Sequence, residues 1–407
     1  MKRPAHAVVT TALLHYVVIF TATAALLAGC SGSQSPLSPS LQELPSQQSQ
    51  AEATYDILHE FGVSSGDGAN PSTELINVKG TLYGTTVFGG AYGLGTVFSI
   101  TKSGKETVLH SFGGSGDASY PSARLLEVNG ALYGTTSGGI GTVFVVMKNG
   151  KETVLHNFGG PGDGTQPSGG LIKVNDLLYG TTYTGGKFSR GIIFSIAKNG
   201  TEKVLYNFGQ KVDDAANPLA GLLDIGGTLY GTSYYGGKYG GEFGGGTVFS
   251  VSTAGKERVL YSFGGGGIND GTSPWSTLIY VNGELYGTTQ AGGSYGNSGT
   301  VFSITLGGTE KVIHSFSYYS KTDGAFPDAG LIDVRGLLYG TTPMGGAKGV
   351  GTVFRITTSG EENLVHSFRA GAGENPRAGL LAVGATLYGT TYGGVREQHG
   401  NVFSLTP

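Results

Sequence analysis

A chain of 407 residues with 75 Gly, 13% charged residues and a formal charge of −3 excludes two classes at once. It lacks the strict three-residue Gly spacing of collagen, and it carries no basic stripe of the kind a nucleic-acid-binding body needs. Gly dispersed among Val, Ile, Thr, Tyr and Phe reads instead as many short strands joined by tight turns.

At the N-terminus, Lys2 and Arg3 precede an apolar stretch from about Val8 to Leu27 that ends in "LLAGC". A short positive region, an apolar run and small residues before a cleavage point are the parts of a secretory signal. Leu27, Ala28 and Gly29 before Cys30 resemble the bacterial lipobox, which implies an acylated Cys30 as first residue of the mature protein. Residues 1–29 are therefore read as a lipoprotein signal peptide. An ordinary secretory signal and a single transmembrane anchor are the alternatives. Cys30 is the sole Cys, so no intramolecular disulfide is available. Removing Lys2 and Arg3 leaves 23 basic against 28 acidic side chains, a charge of −5. Residues 30–53 continue as "CSGSQSPLSPSLQELPSQQSQAEA", too poor in large apolar groups to order themselves. They are expected to form a flexible tether.

From residue 54 onward one motif repeats. The Tyr of "LYGT" falls at 83, 133, 179, 230, 286, 339 and 388, with spacings of 50, 46, 51, 56, 53 and 49 residues. Seven units of about fifty residues lie in the range of propeller blades. Each unit divides into four strand-sized runs, as in "ARLLEV", "ALYGTT", "GTVF" and "ETVLHNF". Lys79-Gly80, Asn129-Gly130, Asn175-Asp176, Gly226-Gly227, Asn282-Gly283 and Arg335-Gly336 separate the first two runs, and such pairs supply two-residue hairpin turns. "KSGK", "KNGK" and "TAGK" do the same between the third and fourth. The expectation is an all-β, seven-bladed β-propeller over 54–407 with four antiparallel strands per blade. A β-solenoid is the alternative. Because the chain ends at "NVFSLTP", the last blade lacks its outer strand, and the orphan copy "TYDILHEF" at 54–61 is expected to pair with 400–406 and close the ring.

The string "LYGTTVFGGAYGLGTVFSITKSGKETVLHSF" at 82–112 resembles the GloVer tandem repeat, and the resemblance extends over 54–407. It implies an exported, surface-anchored bacterial repeat protein. It brings no established activity and no catalytic residues.

Five of eight His, namely His59, His110, His156, His314 and His366, share one position of "VLHSF", with Tyr206 and Tyr261 in two other units. One per blade cannot converge on a metal, so a structural role with a locally bonded nitrogen is expected. The Thr of "YGTT" lack a partner base, and "GAYGLG" opens no helix that could seat a phosphate. No cofactor is expected. Asp67, Asp117, Asp163, Asp214, Asp270 and Asp323 each stand four residues before a Pro, with Glu374 near that place in the seventh unit. They read as turn residues or, alternatively, as part of a ligand face.

The tight turns fall on one side of such a disc. The crossings that hold these Asp and the variable loops after "YGTT" fall on the other. Those segments carry Phe88, Tyr92, Tyr183, Phe188, Tyr234, Tyr235, Tyr239, Trp275 and Tyr295. Rigid aromatic area beside polar groups suits sugar rings. The expected function is a lipid-anchored binding module on the outer membrane or cell surface, with a glycan or an envelope protein as partner and no nucleic acid. A monomer is expected. A glycan-acting propeller enzyme and a purely structural envelope protein are the other two readings.

Overall fold

Apolar residues recur in the two middle runs of every unit, and a turn follows each run, so the chain reverses direction within the unit and its strands pair antiparallel. In the first blade the strands are Ile76–Val78, Thr81–Thr86, Thr96–Ile100 and Glu106–Ser111, bonded in that order. The computed structural model describes residues 53–239, 244–394 and 399–407. The expected signal peptide, Cys30 and all of the expected tether but its last residue lie outside them. Seven such sheets make a seven-bladed β-propeller, and the described residues include no α-helix. First strands of neighbouring blades approach one another around the axis, for example Ile76–Val78 and Leu381–Val383. Segments from all seven blades line one central channel.

The first-to-second turns adopt the backbone that their residues favour: Lys79 and Gly80 have φ of 52° and 92°. On the opposite side, the crossing Gly68–Ala69 pairs with Phe88–Gly89 from the loop after "YGTT". In the third and fifth blades the second strand simply continues, Leu177–Gly185 and Glu284–Gly292, to make the same pairing. Crossings and variable loops therefore do share one face.

The core lies between blades rather than within them. The Phe that ends each fourth run meets the Phe of "GTVF" in the next blade, edge to face. Phe112 and Phe144 have ring centroids 5.0 Å apart, as have Phe158 and Phe194. The Gly of "LYGTT" makes room for that ring, since a Cβ on Gly84 would lie 2.7 Å from Phe98 Cζ. Burial of these rings at every joint is the main cohesive term in a body with no disulfide.

Each fourth strand carries a bulge. Val97 pairs with His110 and Phe98 with Val108, leaving Leu109 as the extra residue. The carbonyl of Leu109 faces Gly150 in the hairpin of the following blade, and Leu155 stands likewise before Gly200. Gly200 has a φ of +85°, and a Cβ there would lie 2.3 Å from the Leu155 carbonyl oxygen. Gly200→Ala is expected to lower stability by about 1–3 kcal/mol, read as a fall in the urea midpoint; an unchanged midpoint would show that this joint can slide apart freely.

The ring is closed by the N-terminal strand. Thr54–Glu60 pairs with Asn401–Thr406, Thr54 opposite Thr406 and Glu60 opposite Asn401. It bears the same bulge, at Leu58, and the Leu58 carbonyl faces Gly104 of the first blade. Phe61 then meets Phe98 at 5.1 Å, so the closing joint repeats the other six.

Candidate functional site

Two sets of polar residues stand out from this frame. The first sits at the blade joints. Asp163 accepts from the backbone amides of Gly159 and Gly164 at 3.2 and 2.6 Å, and its Oδ2 lies 3.0 Å from His156 Nε2. Asp117 and Asp323 hold His110 and His314 in the same way, at 2.9 and 3.2 Å; Asp67 lies 3.5 Å from His59. In two joints Tyr replaces His, and the Tyr206 and Tyr261 hydroxyls donate to Asp214 and Asp270 at 3.0 and 3.2 Å. A Glu from the next blade completes each group: Glu106, Glu152, Glu202, Glu257, Glu310 and Glu362. One oxygen of each of these is buried without a hydrogen-bond partner. Burial, with the nearby Asp in support, pushes Glu152 and Glu310 up to about 7. Burial does the same for Glu106 and Glu362, where a neighbouring His pulls the other way. In the seventh joint Tyr55 takes the place of Glu and stacks on His366 at 4.3 Å.

Three of these groups, His59 with Asp67 and Glu106, His156 with Asp163 and Glu202, and His314 with Asp323 and Glu362, bring donor atoms within 4.8 Å of one another. Their chemistry is that of a clasp. The Asp oxygens are engaged by turn amides, and a Tyr hydroxyl performs the His role elsewhere, so the position calls for a hydrogen-bond donor. Some "YGTT" hydroxyls are engaged across joints: Thr181 donates to the Ala220 carbonyl at 2.9 Å and Thr341 to that of Ala378 at 2.9 Å, whereas those of Thr135, Thr390 and Thr391 are buried without a partner.

The second set lines the mouth of the channel. It is built by one recurrent segment in which a Pro precedes the first strand: "NPSTELI", "YPSARLL", "QPSGGLI", "NPLAGLL", "SPWSTLI", "FPDAGLI" and "NPRAGLL". Pro ends the crossing, and the next residue faces the channel, giving Ser72, Ser122, Ser168, Leu219, Trp275, Asp328 and Arg377. Framework positions in this segment scarcely vary, whereas this one differs sharply around the ring. The cavity encloses about 200 Å³. Around Trp275 the aromatics gather. Tyr234 packs edge-on to Trp275 at 5.3 Å and to Tyr235 at 4.6 Å, and its hydroxyl donates to Gln290 Oε1 at 3.4 Å. Burial, then the adjacent Tyr235 and Tyr234, push the Tyr183 phenol above its usual value. On the far side Glu74 pairs with Arg124 at 3.4 Å, and Arg377 lies over the Tyr392 ring at 4.8 Å.

A family model described as the Gloeobacter/Verrucomicrobia repeat matches residues 46–241 and 238–403. The chain belongs to this repeat family. No curated protein matches it.

In this Gloeobacter/Verrucomicrobia repeat protein the predicted ligand-face residues separate into three groups. Tyr234 packs on Trp275, which lines the channel, and Tyr235 and Tyr183 lie beside Tyr234. Phe88, Tyr92, Phe188, Tyr239 and Tyr295 stand exposed, spread over the first, third, fourth and fifth blades; Phe88 packs on Tyr120, and Lys187 and Lys238 lie over Phe188 and Tyr239. The six Asp are parted from one another, one per joint. Glu74, Arg124, Gln290, Asp328, Arg377 and Tyr392 were not singled out in the sequence. The position after the repeated Pro finds Asp328 and Arg377; Glu74 and Arg124 stand three residues after that Pro, and Gln290 and Tyr392 directly follow "YGTT".

Proposed function

We propose that this protein is a lipid-anchored, extracytoplasmic binding module that holds a glycan at the channel mouth. The observation that carries the reading is the arc of Tyr183, Tyr234, Tyr235 and Trp275 beside an open cavity that also bears Ser72, Ser122, Ser168 and Thr277. Aromatic faces give a sugar ring rigid stacking area, and hydroxyls supply the few placed polar contacts that fix its orientation. At about 200 Å³ the cavity is below the roughly 300–1,000 Å³ of drug-sized sites, so it suits one ring or the end of a chain. Two half-buried carboxyls in the same cavity, Glu74 and Asp328, both raised by desolvation, support a second reading as a glycan-acting enzyme.

A glycan-array screen of the purified chain separates these readings. Binding without turnover supports the module, turnover the enzyme, and silence a structural role. Trp275→Ala with Tyr183→Ala is expected to lower affinity by about 2 kcal/mol or more, tens-fold in Kd. The melting temperature should barely move, because Trp275 and Tyr183 lie at the mouth, outside the Phe-lined joints. A fall in melting temperature with binding intact would place the site elsewhere.

Attachment follows from Cys30, with Ser31 after it favouring the outer membrane or surface over inner-membrane retention. Metabolic labelling with a fatty-acid analogue is expected to mark the wild type and not Cys30→Ala. A Cys30→Ala protein still labelled and membrane-bound would remove the anchor from this proposal. More than one acyl chain is expected, since a single chain holds a protein only marginally.

A further inference from the structure

The two cations of the channel are not equivalent. Arg124 Nε lies 3.4 Å from Glu74 Oε1, so that charge is met by a neighbour. Arg377 is exposed at the mouth and, among the described residues, makes no ion pair and no hydrogen bond. Its guanidinium carbon lies 4.8 Å from the centre of the Tyr392 ring, a contact that uses none of its N–H donors in a hydrogen bond. A flat guanidinium with free donors matches a carboxylate in two parallel hydrogen bonds.

Asp328, on the adjacent blade, is the nearest candidate to neutralise it. One oxygen of Asp328 is buried without a partner, and burial pushes this carboxyl up to about 7, with Arg377 pulling it down. Near neutral pH it is therefore only partly charged. The cavity thus joins an aromatic ring on the fifth blade, uncharged Ser residues on the first three and an unpaired cation on the seventh.

We propose that the channel mouth selects acidic sugars: a uronic acid whose ring lies on Trp275 and whose carboxylate is held by Arg377. This rests on the glycan reading and narrows it to a chemical class. Asp328 acts against the carboxylate as a like charge, so it tunes the site rather than building it.

The test is calorimetric titration of the purified full-length protein with matched oligosaccharide pairs, glucuronate against glucose and galacturonate against galactose. At least one acidic member is expected to bind about tenfold or more tighter than its neutral partner, a difference of roughly 1.4 kcal/mol. Arg377→Gln should abolish the preference and leave neutral-sugar affinity in place, and Asp328→Asn should strengthen the acidic ligand alone. Equal affinities within every pair, or a preference that survives Arg377→Gln, would overturn the acidic class while glycan binding stands. If no member of any pair binds and the array is silent, the glycan reading falls and this inference with it. Should Arg377→Gln fail to fold, the wild-type pairs and Asp328→Asn still decide.

Discussion

Deletion of residues 54–61 lowers the melting temperature of the entire ring in one transition, rather than loosening the last blade alone. The segment supplies the outer strand of the seventh blade and the Phe of the closing joint. Phe61 is fully buried against Phe98, and loss of a ring in such a site alone costs about 3–5 kcal/mol. Tyr55 adds its stack on His366 and its bond to the Ala372 carbonyl. Against a total stability of roughly 5–15 kcal/mol for a domain, the loss is a large share. It also bares the edge of Asn401–Thr406. Circular dichroism melts of the wild type and the deletion check this. An unchanged midpoint, or a small early step followed by a normal melt, would mean that the joints are independent and closure contributes little.

Stability is expected to fall as pH rises from about 5 to about 8. Glu106, Glu152, Glu310 and Glu362 ordinarily titrate near 4.5 and are held at about 7 in the folded ring, with burial the leading cause. An acid with a raised folded pKa binds more protons folded than unfolded. Its contribution is therefore full below the unfolded value and lost as pH climbs through the folded one. Asp328 acts in the same direction, from 3.8 to about 7. His366 opposes them: burial, then Arg369, lower it from 6.5 to about 4, so its contribution is lost as pH falls through that window. One group against five leaves the slope negative. Melting temperatures across this range, with a Glu310→Gln variant, test the assignment; the variant should flatten the dependence. A midpoint that rises with pH would show that these carboxyls stay ionised in the fold.

Much of this was legible in the sequence because a repeat reports each structural requirement seven times. The Gly of "LYGTT" recurs since a Cβ would meet the Phe ring, and "TYDILHEF" could be assigned to the last blade because it carries the same landmarks as "ETVLHSF". The same redundancy concealed the charged part of the channel mouth. Periodic residues and Trp275 draw the eye, whereas Asp328 and Arg377 stand at a position that is Ser in the first three units and differs in each of the last four. Distance along the chain hid it further, since those three are about fifty residues apart and meet only when the ring closes. The six Asp were visible for the opposite reason, and the structure gives each its own joint, where its oxygens serve turn amides and a His or Tyr.

Trp275 is the sole Trp of the chain and lies at the proposed site, so its fluorescence reports on that site alone. The most direct measurement is a titration of the purified protein with an oligosaccharide that the array shows to bind, following Trp275 emission. The account predicts a saturable shift in emission with the same Kd that calorimetry gives. Saturable calorimetric binding with emission unchanged would contradict it, because the ligand would then occupy some surface other than the channel mouth.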